Sequence, residues 1–385
     1  MNVIEARFQI VTPMFIAGAE PDKFAELRAP SIKAALRYWY RAIDSEYANH
    51  EEFIFGGTGK HSVSLFTLIV ANSKLSTKTW VSISDLQYFA FPFNMGDNER
   101  RYIPPGEEEY RLKLAFKKKP EEERYRRALI ASLWMLGHVG GLGSRSRRGF
   151  GTLMLTEVKV TEGDSWDEIH QIPLAHTAAT FDDWRRLFSG GLSKITHWFP
   201  SQSRSDHLTL SDQSCFHLVS EGYSSWEQAL SNAAVNMRDF RNRKQPDYDH
   251  VKKHICKHNS DAAAVAPAVV PTHLHNAPER ASFGLPLAFR YSSLRYNKIV
   301  NGRDRKFMPG TTFEGAQKGK TRGASPIIIR VVNVGGQYHV LYGYFPKRLV
   351  DGNRIRDCWG QYGLPNDNLV ETYWSQLPAG VSIQW

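Results

Sequence analysis

A chain of 385 residues, 42% hydrophobic and 12% aromatic, can bury real cores, which excludes wholesale disorder and favours two domains over one. Lys and Arg number 49 against 39 Asp and Glu, a formal charge of +10, which favours a polyanionic partner such as nucleic acid or an anionic membrane surface. Membrane attachment is the weaker of these, because the amino terminus lacks a signal-peptide pattern and no stretch reaches the roughly 18 apolar residues of a span; Cys215, Cys256 and Cys358 form no CxxC pair or disulfide framework and point to a reducing cytoplasm.

In chain order, residues 3–11 alternate Ile4, Ala6, Phe8 and Ile10 on one face and predict a strand. Pro30-Ser31 then opens a helix whose Ile32, Ala35, Leu36, Trp39, Ala42 and Ile43 form an apolar stripe. Trp39 reads as core rather than as a stacking platform. Lys33, Arg37 and Arg41 recur every fourth residue on a face opposite part of that stripe. Like charges at this spacing mildly destabilise an isolated helix, so a ligand-compensated face and an ordinary solvated face both fit. After Phe55-Gly56-Gly57, the run SVSLFTLIV predicts a second strand. Residues 72–118 give no clear pattern. Residues 121–136 predict a helix, and 152–160 predict a strand. A strand–helix–strand order with a later helix and strand suits an α+β sandwich of the ferredoxin-like or RRM type.

Between that helix and strand lies GHVGGLGSRSRRGFG, Gly137–Gly151, with six glycines, three arginines and no acid in fifteen residues. Glycine permits positive φ and close approach of backbone to a ligand, and successive N–H groups can cradle phosphate oxygens. Arg145, Arg147 and Arg148 can hold phosphates bidentately or stack on bases. A mobile loop with solvated arginines is the plainer reading. The coincidence of glycine and arginine favours RNA or another phosphate ligand.

The second half gives a strand at 215–219, a helix at 224–240, and an Ala/Val/Pro-rich loop at 261–273. Strands follow at 283–291, 325–334 and 337–345, the last two joined as a hairpin through Gly335-Gly336. The basic, glycine-rich stretch 295–323 has no hydrophobic period and is expected to be a long mobile insertion, with ordering on binding left open. His250, His254 and His258 align on a helix and have Cys256 and Asp261 nearby, but Cys256 would point elsewhere on that helix and a solvated polar segment is favoured over a metal site. GAQKGKT at 315–321, GGTGKH at 56–61 and GGLGSR at 140–145 each fail a nucleotide-loop pattern by spacing, residue type or context. No Ser-His-Asp or paired-carboxylate arrangement, and no cofactor motif, announces itself.

Taken together, EARFQIVTPMFIAGA, ELRAPSIKAALRYWYRAI, IFGG and GGLGSRSRRGFG, with RASFGLPLAF and RGASPIIIRVV in the second half, resemble the RAMP superfamily of CRISPR systems. Within it they are similar to the family of first-numbered subunits of the type III-B Cmr effector complex. The resemblance implies two ferredoxin-like RAMP domains with antiparallel sheets and irregular inserts, at 1–160 and 181–385, joined by a connector at 161–180. It implies a cytoplasmic, non-catalytic subunit that binds CRISPR guide RNA and its complementary target RNA near the guide 3′ end, beside other RAMP subunits of the complex. It carries RNA contact to Gly140, Gly141, Gly143, Arg145, Arg147, Arg148 and Gly149, and to Lys33, Arg37 and Arg41. Target cleavage in such complexes is assigned to a loop aspartate of the repeated backbone subunit; Asp22 lies in a loop of that kind, but nothing around it argues for catalysis. The rival expectation is a metal-independent RAMP endoribonuclease that processes CRISPR RNA, with His138 as its general acid/base. A RAMP backbone subunit of a related type III complex is a third.

Overall fold

Alternating apolar residues build the first strand, β1 (Asn2–Ile10), in which Ile4, Ala6 and Phe8 are fully buried. The structure, a computed structural model, describes residues 2–18, 20, 23–59, 62–71, 75–93, 100–106, 109–117, 119–200, 210–242, 247–266, 274–346, 349–366 and 369–385. Pro30 sits in the first turn of α1 (Ala29–Ile43), where its missing N–H costs nothing. A second helix, α2 (Tyr47–Phe55), stops at Gly56, whose φ of 75° is the left-handed conformation glycine tolerates. Then come β2 (Phe66–Ala71), β3 (Glu109–Phe116), α3 (Glu123–His138) and β4 (Leu153–Glu162).

These strands form one antiparallel sheet in the order β2-β3-β1-β4, the ferredoxin-like arrangement, with Ile4 opposite Leu114 and Val160. β3 lies in the stretch whose pattern looked unreadable. Tyr110, Leu112, Leu114 and Phe116 are buried in strict alternation there, so the strand period is present once its polar partners are counted.

The second half opens with α4 (Phe181–Trp198), β5 (Cys215–Val219) and α5 (Trp226–Asn242). An insertion follows with α6 (Asp247–His258), β6 (Leu287–Arg290), β7 (Tyr296–Val300), β8 (Arg303–Phe307) and β9 (Gly310–Gly315). The hairpin β10 (Ile327–Val334) and β11 (Gln337–Tyr344), then α7 (Leu369–Trp374) and β12 (Gly380–Gln384), complete the chain. Gly335 and Gly336 close the hairpin at φ 57° and 88°, as its two-residue glycine turn predicts. β10-β11-β5-β12 is again antiparallel and repeats the strand order of the first sheet. The α+β class with antiparallel sheets and inserts is therefore what the chain adopts.

The two sheets just described lie in one compact unit, Met1–Asn236 with Ile327–Lys347 and Pro378–Trp385, and a third four-stranded sheet lies in the other. The second unit is Met237–Pro326 with Arg348–Leu377, and it has its own core around Val251, Ile255, Phe289, Phe313 and Tyr362. Residues 161–180, expected as a connector, place Trp166, Ile172 and Ala175 in the core of the first unit. The stretch 295–323 differs from expectation: instead of a mobile insertion it carries β7, β8 and β9.

Candidate nucleic-acid interface

The glycine loop leaves α3 and enters β4, and its glycines are there for close packing. A side chain on Gly140 would strike the Trp39 indole, one on Gly143 the Phe15 carbonyl, and one on Gly151 the Leu142 carbonyl. Gly143, Gly149 and Gly151 have φ of 84°, 82° and 62°. Loop N–H groups are spent internally: Leu142 donates to the Gly151 carbonyl at 2.9 Å, Ser144 to Phe15 at 2.8 Å and Gly151 to Pro13 at 2.8 Å. Thr12 Oγ1 donates to the Gly149 carbonyl at 2.6 Å. Gly140 and Gly149 are buried, while Gly143 is exposed and Gly141 half-buried. The expected flexible phosphate cradle is thus a firmly seated loop, and only part of it faces outward.

The three arginines fan out from this seat. Arg145 adopts φ 62° and its Nε donates to the Phe89 carbonyl at 2.9 Å. Arg148 Nη1 donates to the Ile327 carbonyl at 3.3 Å, and the Arg147 carbonyl accepts from Ile329 N–H at 3.1 Å. The Arg147 guanidinium lies 5.6 Å over the Tyr38 ring and donates to its hydroxyl at 2.8 Å. Burial pushes the Tyr38 hydroxyl pKa up, and the neighbouring Arg147 charge pulls the other way. Loop and helix together frame a cleft of about 320 Å³, lined among others by Ser31, Tyr38, Gly141, Gly143, Ser146 and Arg147. Tyr38 and Ser31 were not expected here. The apolar stripe places neighbouring Trp39 in the core, where it is 3% exposed, and carries no signal for the residue beside it.

Lys33, Arg37 and Arg41 lie roughly a third of a turn around α1 from Ser31, Ala35 and Tyr38, on the flank of α2. There the sequence supplies its own compensation for their repulsion. Arg37 Nε is 3.0 Å from Glu51, and Arg41 Nε donates to the same carboxylate at 2.8 Å, which raises the Arg41 pKa. Arg37 also holds the Gly56 carbonyl that ends α2. Lys33 Nζ donates to Ser64 at 2.8 Å; burial, then the charge of Arg37, lowers its pKa. No external ligand is needed to keep the row stable, so the loop and the helix cations do not converge on one point.

His138 is not presented to any substrate. It is 4% exposed and stacks on Trp134 at 4.2 Å. Its Nδ1–H donates to the Trp134 carbonyl at 2.9 Å and its Nε2 accepts from Ala175 N–H at 3.0 Å. Burial first, then the charge of Arg330, pushes its pKa down to about 3, so it stays neutral. The assignment of His138 as general acid/base is corrected: both ring nitrogens are committed to backbone. Arg330, on β10, is the unforeseen residue. It is 3% exposed, burial lowers its pKa to about 9, and its guanidinium donates to Gly140 at 2.8 Å, Gly137 at 2.6 Å and also Leu153. It thereby ties both ends of the loop to the second sheet.

Among the described residues no group of three His, Cys, Asp or Glu is placed to hold a metal. His254 instead joins Asp357 at 3.1 Å, and His258 stacks on Trp359 at 5.2 Å. Asp22 lies outside the described residues. No described helix is long and apolar enough to cross a membrane.

Comparison with known proteins agrees with this architecture. Residues 7–153 match the RAMP superfamily model. The chain is 28% identical over 167 residues to CRISPR system Cmr subunit Cmr1-1 of Pyrococcus furiosus, covering 40% of this chain and 48% of that protein, so the match spans about half of that relative. It is 29% identical over 182 residues to subunit Cmr1-2 of the same organism, covering 39% and 94%. Among solved structures, the crystal structure of Cmr1 from Pyrococcus furiosus in its apo form is similar over 100% of this chain and 99% of that one, with TM-score 0.58 and 19% identity. Over residues 7–153 the chain thus resembles the RAMP superfamily, and over 40% and 39% of its length it is similar to the two Cmr1 subunits.

Proposed function

We propose that the chain is a non-catalytic, RNA-binding subunit of a type III-B CRISPR effector complex, holding guide RNA and complementary target RNA near the guide 3′ end beside other RAMP subunits. The single observation that carries RNA contact is the cleft between α1 and the glycine loop, where Arg147 lies on Tyr38 and Gly143 and Ser146 face the opening. A guanidinium held against an aromatic ring offers a phosphate a fixed charge and a base a stacking surface. The homology to Cmr subunits supports the assembly. Exposed Gly143, half-buried Gly141 and Arg145, Arg147 and Arg148 form the contact surface, while buried Gly140 and Gly149 shape it. Lys33, Arg37 and Arg41 add field rather than direct contacts.

The test replaces Arg147 with Gln and measures affinity for a single-stranded RNA across a salt series. Affinity is expected to fall several-fold, and the log–log salt slope to flatten by about 0.7 for one lost phosphate contact. Equal affinity and slope in a folded variant would remove the cleft from the RNA path. Incubation with CRISPR repeat RNA is expected to leave the RNA intact; a discrete metal-independent product would overturn the non-catalytic reading.

A further inference from the structure

Much of the chain's excess positive charge falls in one stretch of the second unit. Between Arg295 and Arg322 stand eight basic residues and two acidic ones. Within that stretch β7 and β8 form a two-stranded hairpin closed by Asn301-Gly302, at φ 52° and 72°. β8 is exposed along its whole length.

The register sorts the side chains by face, because residues directly opposite share one. Tyr296 faces Phe307, Lys298 faces Arg305 and Val300 faces Arg303, all on one side. Asn297 faces Lys306 and Ile299 faces Asp304 on the other. Asp304, the hairpin's one acid, is thus segregated from the side that holds Lys298, Arg303 and Arg305. Lys298 reaches Asp261 at 3.1 Å, and among the described residues Arg303 and Arg305 pair with no carboxylate. Opposed cations such as Lys298 and Arg305 cost a hairpin stability; Asp261 offsets this at Lys298 and leaves Arg305 without a carboxylate among the described residues. At the base of the same side Tyr296 and Phe307 stack at 5.9 Å, with Phe307 36% exposed.

We propose that this face of the β7–β8 hairpin is a second single-stranded RNA contact, in which Arg303 and Arg305 hold phosphates and Phe307 offers its ring to a base. Cations beside a partly exposed aromatic pair, with the acid turned away, are what a stacking platform for single strands requires. The proposal rests on the RNA-binding reading above and assigns it a separate set of residues.

The experiment measures fluorescence anisotropy of labelled oligouridylates of about 10 and 30 nucleotides, the first within and the second beyond single-strand site sizes of about 4–16 nucleotides, over a potassium chloride series. Arg303→Ser with Arg305→Ser is expected to flatten the salt slope by about 1.4, two single-strand phosphate contacts. Phe307→Ser should weaken binding about tenfold and Phe307→Trp restore it. Ile299→Ser, on the opposite face, should change neither. Circular dichroism checks each fold, and the double arginine variant keeps the test open if the Phe307 variant loosens the hairpin. Wild-type behaviour of the hairpin variants beside a weakened Arg147→Gln overturns the hairpin and leaves the cleft. The reverse pattern supports the hairpin and removes the cleft. Absence of RNA binding by the unaltered protein overturns both. Loss of binding to poly-glutamate without loss of RNA binding assigns the face to an acidic protein and overturns the proposal.

Discussion

At the residue scale the least replaceable side chain is Arg330. A guanidinium is stripped of water, and among the described residues no carboxylate pairs with it; the carbonyls of Gly137, Gly140 and Leu153 share the charge instead. Gly137 lies in the last turn of α3, where the helix dipole is negative, so the cation sits at a favourable potential. Truncating it would leave buried carbonyls without donors. Arg330→Met is therefore expected to lower stability by about 2 kcal/mol, read as a shift in the urea midpoint. Exchange of the loop amides 140–143 should accelerate beyond what the global loss explains. Arg330→Lys should recover only part, because one ammonium cannot span a three-carbonyl fork. A variant as stable as the parent with an unchanged loop would show that the loop holds itself.

At the scale of elements, α1 and α2 make one electrostatic unit. Glu51 is 8% exposed and neutralises Arg37 and Arg41 from a neighbouring helix. Glu51→Gln removes that charge while keeping the shape. If the helix row adds to the field felt by RNA, the change should tighten RNA binding a few-fold at low salt and lose that advantage at high salt. The measurement is the same anisotropy series, and weaker binding would mean that the pairing positions the arginines rather than masking them. This pairing also marks the limit of what sequence discloses. Apolar period gave β1, α1, α3, β4 and the β10–β11 hairpin, because burial on one face writes itself into spacing. β3 carried the same signal in EYRLKLAF, diluted by the polar residues around it. Asn301-Gly302, a strong hairpin signal, lay in a stretch where basic composition suggested mobility. Glu51 and Arg330 had no such signature. Their partners lie 14, 10 and up to 193 residues away, and chain spacing says nothing about charges brought together by folding. The glycine loop was visible as a motif, but that its glycines serve packing follows only from the Trp39, Phe15 and Leu142 atoms they touch.

At the scale of the molecule, the two units have separate cores and different acid thresholds. In the first, His138 is driven from 6.5 down to about 3 by burial and then by Arg330. Its unfolded form takes up a proton first, so the first unit loses stability as pH falls below about 6.5, by at most about 1.4 kcal/mol per unit, until about pH 3. In the second, burial would raise Asp357, but donors from His254, the Trp359 backbone, Tyr362 and Thr311 outweigh it and hold its pKa at about 2 against 3.8. That stabilisation is complete above about pH 4 and is lost only as pH falls from there through about 2. Hydrogen exchange at pH 5, corrected for intrinsic rate, should therefore show lower protection than at pH 7 around Ile4, Phe8 and Leu133. Protection around Ile255, Phe313 and Tyr362 should be unchanged. His138→Gln, which cannot titrate, should flatten the first dependence, and Asp357→Asn should remove the second while leaving the first. Equal loss in both cores at pH 5 would mean that they open together.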